Sequence, residues 1–335
     1  MMKKILISFA VLLAVLLVVA EIYGYYYVHS AAGSAREEVT VEVRPGASFH
    51  SVAKTLNEKE VIDSRKKFYL YAKLKGALQS IKAGEYLFDP GVTPEEILRK
   101  LRKGSVIKYR LTIPEGFNLY QIAELLDKKG LVSRTEFISM AFDKKLMKKL
   151  GVEGVSLEGY LYPETYFFVK GMSCEEIISA MVGRLIDILP EDIEKRAAEI
   201  GFTVKDVINL ASIIEKETAN PDERSLISAV FHNRLKKPMR LQTDPTVIYG
   251  MIGRFDGDLK KKDLKKKTPY NTYRINGLPL GPIANPGIDS IKAALSPADV
   301  DYIYFVSMNN GSHVFARTLK EHNRNVWKYQ KRRNR

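Results

Sequence analysis

The stretch TVKDVINLASIIEKET, residues 203–218, predicts an amphipathic helix that ends in two glutamates. Thr203 is followed three residues later by Asp206, which is a start similar to a capping box. The apolar residues between them and the glutamates recur with the period of a helix. Asn220-Pro221 ends the pattern, because proline cannot continue a helix.

On a helical wheel, Glu215 and Glu217 lie on opposite borders of the apolar arc, and Thr218 lies near its middle. A border position is partly desolvated, which raises the pKa of a carboxyl group. A carboxylic acid that stays protonated near neutral pH is what cleavage of a glycosidic bond requires. A solvated helix end is the alternative, and the wheel does not choose between the two glutamates.

The N-terminal residues predict a membrane helix. Lys3 and Lys4 precede an uncharged run over residues 5–20, and tyrosines cluster over residues 23–27. This order matches the charge and aromatic rules for a spanning helix of roughly 20 residues. A signal peptide cleaved near Ser30-Ala31-Ala32 is the alternative. In both cases the chain from Arg36 onward lies outside the cytoplasm, which excludes nucleic acid as a partner.

Composition limits the partners and the cofactors. The 335 residues suffice for two or three compact units, and the formal charge of +14 favours an anionic partner. Cys174 is the only cysteine, so we expect a buried apolar residue and no disulfide or cysteine-based metal cluster. Phosphate-loop, dinucleotide, zinc-protease and serine-hydrolase motifs are missing from the sequence. Ser312 and His313 are adjacent and would point apart in an extended segment. We therefore predict neither a metal nor a cofactor.

A strand–turn–helix pattern occurs three times in the first half of the chain. In each copy a Ser, Thr or Asn stands two residues after a glycine, where it can cap the following helix, at Ser48, Thr93 and Asn118. Helices are also predicted over residues 225–235 and 288–295, and a strand over residues 302–306. Residues 241–246, 269–273 and 277–282 are rich in turn formers. The pattern predicts an α+β fold.

The aromatic segment over residues 157–166 allows two interpretations. Its tyrosines and the carboxyl groups of Glu158 and Glu164 could form a wall that stacks on sugars. They could equally be a hydrophobic core that carries two surface acids.

Several segments resemble the endolytic murein transglycosylases, the MltG/YceG-like family, in the same order along the chain. The similar segments include residues 211–218, 231–235, 240–250, 270–273, 277–279, 283–287, 304–306 and 322–323. The resemblance covers essentially the whole chain. It implies an N-terminal transmembrane helix with a short linker over residues 1–35, a small LysM-like α/β subdomain over 36–105, and a mixed α+β catalytic domain over 106–335.

The resemblance also implies a function. The family places its catalytic acid on the second glutamate of the helix segment, which is Glu217 here. The enzyme would be a lyase that cuts the bond between N-acetylmuramic acid and N-acetylglucosamine within nascent peptidoglycan strands, with 1,6-anhydro ends as products. By their side-chain chemistry, the candidates for substrate binding are Gln242, Asp244, Tyr270 and Asn271, with Glu215 as a secondary candidate. Amides and phenols suit N-acetyl and hydroxyl groups, and the alternative is that residues of these types form ordinary turns.

The expected partners are peptidoglycan glycan strands, the lipid bilayer and wall synthases. The expected location is the bacterial cell (inner) membrane, crossed once, with the catalytic domain outside the cytoplasm. A peptidoglycan-binding scaffold without catalysis and a hydrolase on the same substrate are the alternatives.

Overall fold

The computed structural model describes residues 2–331 and confirms a mixed α+β architecture. The last residues of the basic C-terminal tail, Arg332, Arg333 and Arg335, lie outside the described range. Within that range the strands are short and form three separate two-stranded sheets, so helices supply most of the packing.

Helix α1 (Met2–His29) is the one helix in residues 2–331 that is long and apolar enough to cross a membrane. Its 28 residues span about 42 Å, which exceeds the hydrocarbon thickness of a bilayer. None of its residues is buried, unlike those of an apolar helix in a protein core. The exposed apolar surface suggests a membrane anchor, although a signal sequence would share this length and composition.

The chain forms two compact units. The first holds the described residues up to Arg110 together with Phe167–Met172. After α1 it has the order strand, helix, helix, strand, helix: β1 (Val39–Val43), α2 (Phe49–Glu58), α3 (Arg65–Leu74), β2 (Gly84–Phe88) and α4 (Pro94–Lys103).

Strands β1 and β2 of this first unit are antiparallel, with Val39 opposite Phe88 and Val43 opposite Gly84. The helices bury their apolar faces against this pair around Leu56 and Phe68. The core therefore follows the helical spacing of the apolar residues in the sequence.

The second unit holds Leu111–Tyr166 and the described residues from Ser173 onward. Strand β3 (Tyr109–Thr112) pairs with β4 (Thr165–Phe168), and the residues of these two strands are divided between the units. Within the second unit β5 (Tyr304–Ser307) pairs with β6 (His313–Ala316). The helices are α5 (Leu119–Lys128), α6 (Arg134–Ala141), α7 (Lys144–Lys149), α8 (Cys174–Ile188), α9 (Ile193–Glu199), α10 (Val204–Glu217), α11 (Arg224–Lys236), α12 (Asp244–Tyr249), α13 (Ile288–Leu295) and α14 (Leu319–Val326). Short 3₁₀ turns cover Pro221–Glu223 and Asp263–Lys265, and a π-helical turn covers Trp327–Lys331.

The predicted helix caps are present. The side chains of Ser48, Thr93 and Asn118 each accept a hydrogen bond from a backbone N–H in the first turn of α2, α4 and α5. The glycine two residues before each cap has a φ between 73° and 75°, a region that other residues rarely adopt. The same pattern, a glycine two residues before a capping residue, occurs before α8 and α10, where Ser173 and Thr203 are the caps. It therefore marks helix starts in both units.

Helix α10 lies at the centre of the second unit. Eight consecutive residues, Val207–Ile214, are buried, so neighbouring elements cover the helix on all sides along this stretch. Each large aliphatic side chain buried here stabilises the fold by roughly 1.5–3 kcal/mol. Of its two buried polar residues, Ser212 accepts from the Ile283 N–H at 3.0 Å and donates to the Asn209 carbonyl at 2.6 Å. The Asn209 amide donates to the Pro279 carbonyl at 2.8 Å, while its Oδ1 atom has no hydrogen-bond partner among the described residues.

Most predicted elements agree with the structure, and one does not. The helix over residues 288–295 has the predicted bounds, and Cys174 is buried as expected. The turn prediction over residues 241–246 was wrong at its end, because α12 begins at Asp244. Pro245 stands in the first turn of that helix, where its fixed φ favours a helix and its missing N–H has no intrahelical partner to lose.

Candidate active site

Glu217 is the last residue of α10, and its side chain leaves the helix toward the loop that precedes α12. The Thr243 hydroxyl donates a hydrogen bond to its Oε1 atom. Its Oε2 atom has no hydrogen-bond partner among residues 2–331. Glu217 is half-buried. One carboxyl oxygen is therefore anchored, and the other can carry a proton or face a ligand.

Thr243 is held in place by two other threonines. Its N–H donates to the Thr272 hydroxyl at 3.0 Å, and its carbonyl accepts from the Thr246 hydroxyl at 2.7 Å. The hydroxyls of Thr246 and Thr272 lie 2.8 Å apart, and both residues are fully buried. This threonine cluster, defined as Thr243, Thr246 and Thr272, fixes the hydroxyl that contacts Glu217.

The surroundings of Glu217 raise the pKa of its carboxyl group. Burial is the largest cause, and the negative charge of Asp244 raises the pKa further. The hydrogen bond from Thr243 and the positive charges of His313 and Arg234 act in the opposite direction. Since burial prevails, the protonated form of Glu217 persists to a higher pH than that of an ordinary glutamate.

Arg234 on α11 supplies one of these charges and also supports the loop. Its guanidinium donates to the Ile303 carbonyl at 2.8 Å and to the Leu241 carbonyl at 2.5 Å. The same group lies 5.4 Å from the centre of the Tyr304 ring. Arg234 thereby ties strand β5 to the backbone two residues before Thr243.

A contact between Glu223 and His313 lies near the end of α10. Glu223 accepts from the His313 N–H at 2.8 Å and lies 2.7 Å from His313 Nδ1. It also accepts a long hydrogen bond, 3.5 Å, from the buried Thr218 hydroxyl. The hydroxyl of Ser312 donates to Asn310 instead of pairing with the adjacent histidine, so the predicted divergence of Ser312 and His313 is confirmed.

Glu215 has a different environment from Glu217. Its side chain is only 7% exposed, and its Oε2 atom accepts from the Gly287 N–H at 3.1 Å and the Ser290 hydroxyl at 2.7 Å. Arg224 lies 3.9 Å from its Oε1 atom. These contacts tie the end of α10 to the first turn of α13.

The predicted binding residues fall into two groups. Gln242 and Asp244 are exposed on either side of Thr243, and Asp244 accepts from the Tyr273 hydroxyl at 2.6 Å. Tyr270 is half-buried, with its ring centre 4.9 Å from that of Tyr249. The structure thus brings Gln242 and Asp244 to the loop that contacts Glu217, whereas Tyr270 joins a neighbouring aromatic group.

Asn271 is fully buried, and its amide is used by the protein itself. Its Nδ2 atom lies 3.2 Å from the Asp263 and Leu264 carbonyls and 2.6 Å from the Lys266 carbonyl. Its Oδ1 atom accepts from the Tyr273 N–H at 3.0 Å. Asn271 therefore shapes the adjoining loop from within and presents no free group to a ligand.

The structure corrects the interpretation of the aromatic segment as a core with two surface acids, because Glu158 does not lie at the surface. Glu158 is 1% exposed and accepts from the Leu119 N–H at 3.1 Å, the Tyr249 hydroxyl at 2.8 Å and the Asn285 amide at 3.0 Å. Burial raises its pKa to about 8, against the effect of these donors. It is a buried connector, whereas Glu164 does lie near the surface in an ion pair with Arg184.

Sequence reasoning did not single out Thr243, Arg234 or Glu223, and it considered His313 only as a neighbour of Ser312. All but Glu223 lie in or beside segments that were quoted, but they are far apart in the chain. Only the packing of α10, α11 and β6 brings them together. Among the described residues, no group of three or more His, Cys, Asp or Glu side chains is arranged to hold a metal ion.

The chain is similar to known proteins of one family. The model of the YceG-like family matches residues 41–328. The chain is 36% identical over 326 residues to the endolytic murein transglycosylase of Bacillus subtilis, which covers 92% of this chain and 90% of that relative. It is 30% identical over 363 residues to the protein of the same name from Streptococcus pneumoniae, which covers 97% of this chain and 65% of that relative.

A crystal structure of a yceG-like protein from Listeria monocytogenes is also similar. Its TM-score is 0.59 at 35% sequence identity, and the match covers 87% of this chain and 99% of that one. The class to which the named relatives are assigned is that of the lytic transglycosylases, which are lyases. This chain belongs to the YceG-like family, as its sequence segments predicted.

Proposed function

We propose that this protein is a peptidoglycan lytic transglycosylase, with Glu217 as its catalytic acid. The enzyme cuts the bond between N-acetylmuramic acid and N-acetylglucosamine within glycan strands and leaves 1,6-anhydro ends. The observation that carries this proposal is the state of one carboxyl group. Glu217 is half-buried with a raised pKa, has one oxygen anchored by Thr243 and has the other without a partner in the described chain.

In the first step, protonated Glu217 donates its proton to the oxygen of the glycosidic bond. The bond from that oxygen to C1 of the muramic acid breaks, and the N-acetyl group of the same sugar stabilises the positive charge at C1. The carboxylate of Glu217 then removes the proton from the 6-hydroxyl, whose oxygen bonds to C1. The proton count balances, because Glu217 regains the proton that it gave, and no water is consumed.

A single carboxyl group suffices for this reaction, whereas most glycosidases use two. The attacking hydroxyl belongs to the substrate, so it has the advantage of proximity that a positioned nucleophile would otherwise supply. Asp244, the residue after Thr243, is exposed and accepts a hydrogen bond from the Tyr273 hydroxyl. Its role here is to keep Glu217 protonated through its negative charge.

The proposed binding residues follow from their exposure. Gln242 and Asp244 contact hydroxyl or N-acetyl groups next to Glu217, and Tyr270 offers a ring for a sugar further along the strand. Asn271 and Glu215 support the site without contacting the substrate, because their polar atoms hydrogen-bond to the surrounding loops and helices.

We propose that residues 1–35 form the membrane anchor and a short linker. Residues 36–105 then form a LysM-like glycan-binding subdomain, and residues 106–335 form the catalytic domain. The strand–helix–helix–strand order of β1, α2, α3 and β2 supports the second assignment. The burial of Ala32 supports an uncleaved anchor, because its N–H donates to the Val92 carbonyl and its own carbonyl accepts from the Asp63 N–H. Cleavage there would cut a chain segment that belongs to the folded core.

We further propose a single-pass topology in the bacterial cell (inner) membrane, with the catalytic domain outside the cytoplasm. The two lysines before the apolar run and the tyrosines after it support this orientation. An enzyme so placed can reach nascent strands beside the wall synthases and terminate their elongation.

The test is mass spectrometry of purified glycan strands after incubation with the full-length protein. New muramic ends that are lighter by one water than reducing ends support the lyase, and reducing ends would make it a hydrolase. Unchanged strands would make it a binding scaffold. Glu217→Gln should abolish product formation while the fold is kept, as judged by circular dichroism. Full activity of Glu217→Gln would remove the assignment, and Glu215→Gln serves as the matched control on the same helix end.

A further inference from the structure

The segment 260–267, here called the lysine loop, contains six lysines in eight residues. Two of them are paired, because Lys260 lies 2.5 Å from Asp256 and Lys266 lies 2.8 Å from Asp263. The other four are exposed and have no carboxylate within 4.0 Å in the described part of the chain: Lys261, Lys262, Lys265 and Lys267. Four unpaired like charges so close together repel one another, so the loop favours an anionic ligand.

The backbone of the lysine loop is fixed from within. The Asp263 side chain is only 4% exposed, and it accepts from the Lys260 N–H at 3.2 Å. The Lys266 ammonium holds the pKa of Asp263 below its ordinary range, so Asp263 stays a carboxylate. The buried Asn271 amide lies within hydrogen-bond distance of three carbonyls of the same loop. The four free lysines therefore extend from a loop whose backbone is held by hydrogen bonds.

The lysine loop adjoins the candidate active site through a short series of contacts. Asn271, which holds the loop, is the neighbour of Thr272 in the chain. The Thr272 hydroxyl accepts from the Thr243 N–H, and the Thr243 hydroxyl donates to Glu217. On the other side of Asn271 stands Tyr270, a proposed sugar-binding residue. A strand that passes Glu217 and Tyr270 brings its substituents near the loop.

We propose that the lysine loop binds the carboxylates of the peptide stems that peptidoglycan strands carry. The proposal rests on the proposed function, because it concerns a second contact of the same substrate. The sugar hydroxyls and N-acetyl groups are neutral, so they leave four ammonium groups without a counter-charge. The stems supply several carboxylates at regular intervals, and exposed ammonium groups attract them over about 10 Å at moderate salt. The loop thereby selects strands whose stems are charged.

The test measures binding separately from cleavage. Full-length protein carrying Glu217→Gln in detergent micelles is titrated with fluorescent uncrosslinked strands. One sample keeps its stem carboxylates, and the other has them converted chemically to amides. We expect about tenfold tighter binding of the charged strands, from four exposed contacts of ordinary strength. Substitution of all four free lysines by glutamine should bring the ratio of the two Kd values close to one, and added salt should do the same to the unsubstituted loop.

The control variant replaces four lysines of α7 by glutamine, so that it removes the same charge: Lys144, Lys145, Lys148 and Lys149. It should leave the ratio unchanged. A ratio that survives loss of the loop lysines, or is near one in the unsubstituted loop, overturns the proposal. Displacement by poly(glycerol phosphate), without any effect of amidation, would assign the loop to phosphate polymers instead. Failure of the protein with Glu217 intact to cleave either strand would count against the proposed function alone, since the Kd ratio still reports on the loop.

Discussion

The hydroxyl of Thr243 donates to one oxygen of Glu217, Oε1, and leaves Oε2 without a partner in the described chain. The two oxygens of the same carboxyl group therefore have different tasks. The hydrogen bond fixes the orientation of the group and stabilises its ionised form. In the proposed mechanism the other oxygen carries the proton that is transferred to the glycosidic oxygen.

Replacement of Thr243 by valine should raise the pKa of Glu217, because the ionised form loses a donor. The proposed reaction needs the protonated acid, so the alkaline limb of the pH–rate profile should move to higher pH. A hydrogen bond to a charged group is worth about 1.5–3 kcal/mol, which corresponds to a shift of about one to two pH units. The profile of kcat/KM against pH measures it, and Thr243→Ser should keep the wild-type limb. A downward shift in Thr243→Val would contradict the assignment of this contact.

Replacement of Asp244 by asparagine should have the opposite effect. The negative charge of Asp244 raises the pKa of Glu217, so its removal stabilises the ionised acid. The alkaline limb should then move to lower pH, and the rate at pH 8 should fall more than the rate at pH 5. Asp258→Asn removes an exposed charge from another loop and should leave the profile in place. An unmoved limb in Asp244→Asn would show that this charge does not act on the proposed catalytic acid.

Replacement of Glu158 by alanine should destabilise the protein strongly. The change leaves the Leu119 N–H, the Tyr249 hydroxyl and the Asn285 amide without their buried acceptor. We expect the free energy of unfolding of the second unit to fall by about 3 kcal/mol, as measured by denaturant titration.

Glu164→Ala is the matched control for Glu158, because it removes another glutamate of the same segment. Its ion pair with Arg184 is exposed, at 38% and 43% for the two side chains. Such a pair contributes less than about 1 kcal/mol. Equal losses from the two substitutions would mean that Glu158 is not the buried connector described above.

Replacement of Asn271 by alanine should release the lysine loop. Three loop carbonyls lose the amide that holds them, so trypsin should cut within residues 260–267 faster than in the wild type. Limited proteolysis with mass mapping measures the rate. Asn309→Ala, at an exposed turn, should not change cleavage at the lysine loop. Unchanged cleavage in Asn271→Ala would indicate that other contacts fix the loop.

The local structure was largely predictable because its causes are local. A cap residue, a glycine two positions earlier and apolar residues at helical spacing lie within one or two turns of each other. The sequence therefore located the start of α10 at Thr203 and both bounds of α13. It was wrong about residues 244–246, where tertiary packing and Pro245 convert a turn signal into a short helix.

The sequence by itself determined the α+β class, the apolar N-terminal helix, the family resemblance and the pair of glutamates at the end of α10. It could not separate Glu215 from Glu217, since both occupy equivalent borders of one helix. The tertiary structure separated them through partners from distant segments. Glu215 accepts from Gly287 and Ser290 at Oε2 and faces Arg224 at Oε1, while Glu217 accepts one hydrogen bond, from Thr243, in the described chain. The pKa and the availability of a carboxyl group depend on burial and on neighbours in space, and the spacing of residues along one helix does not specify these.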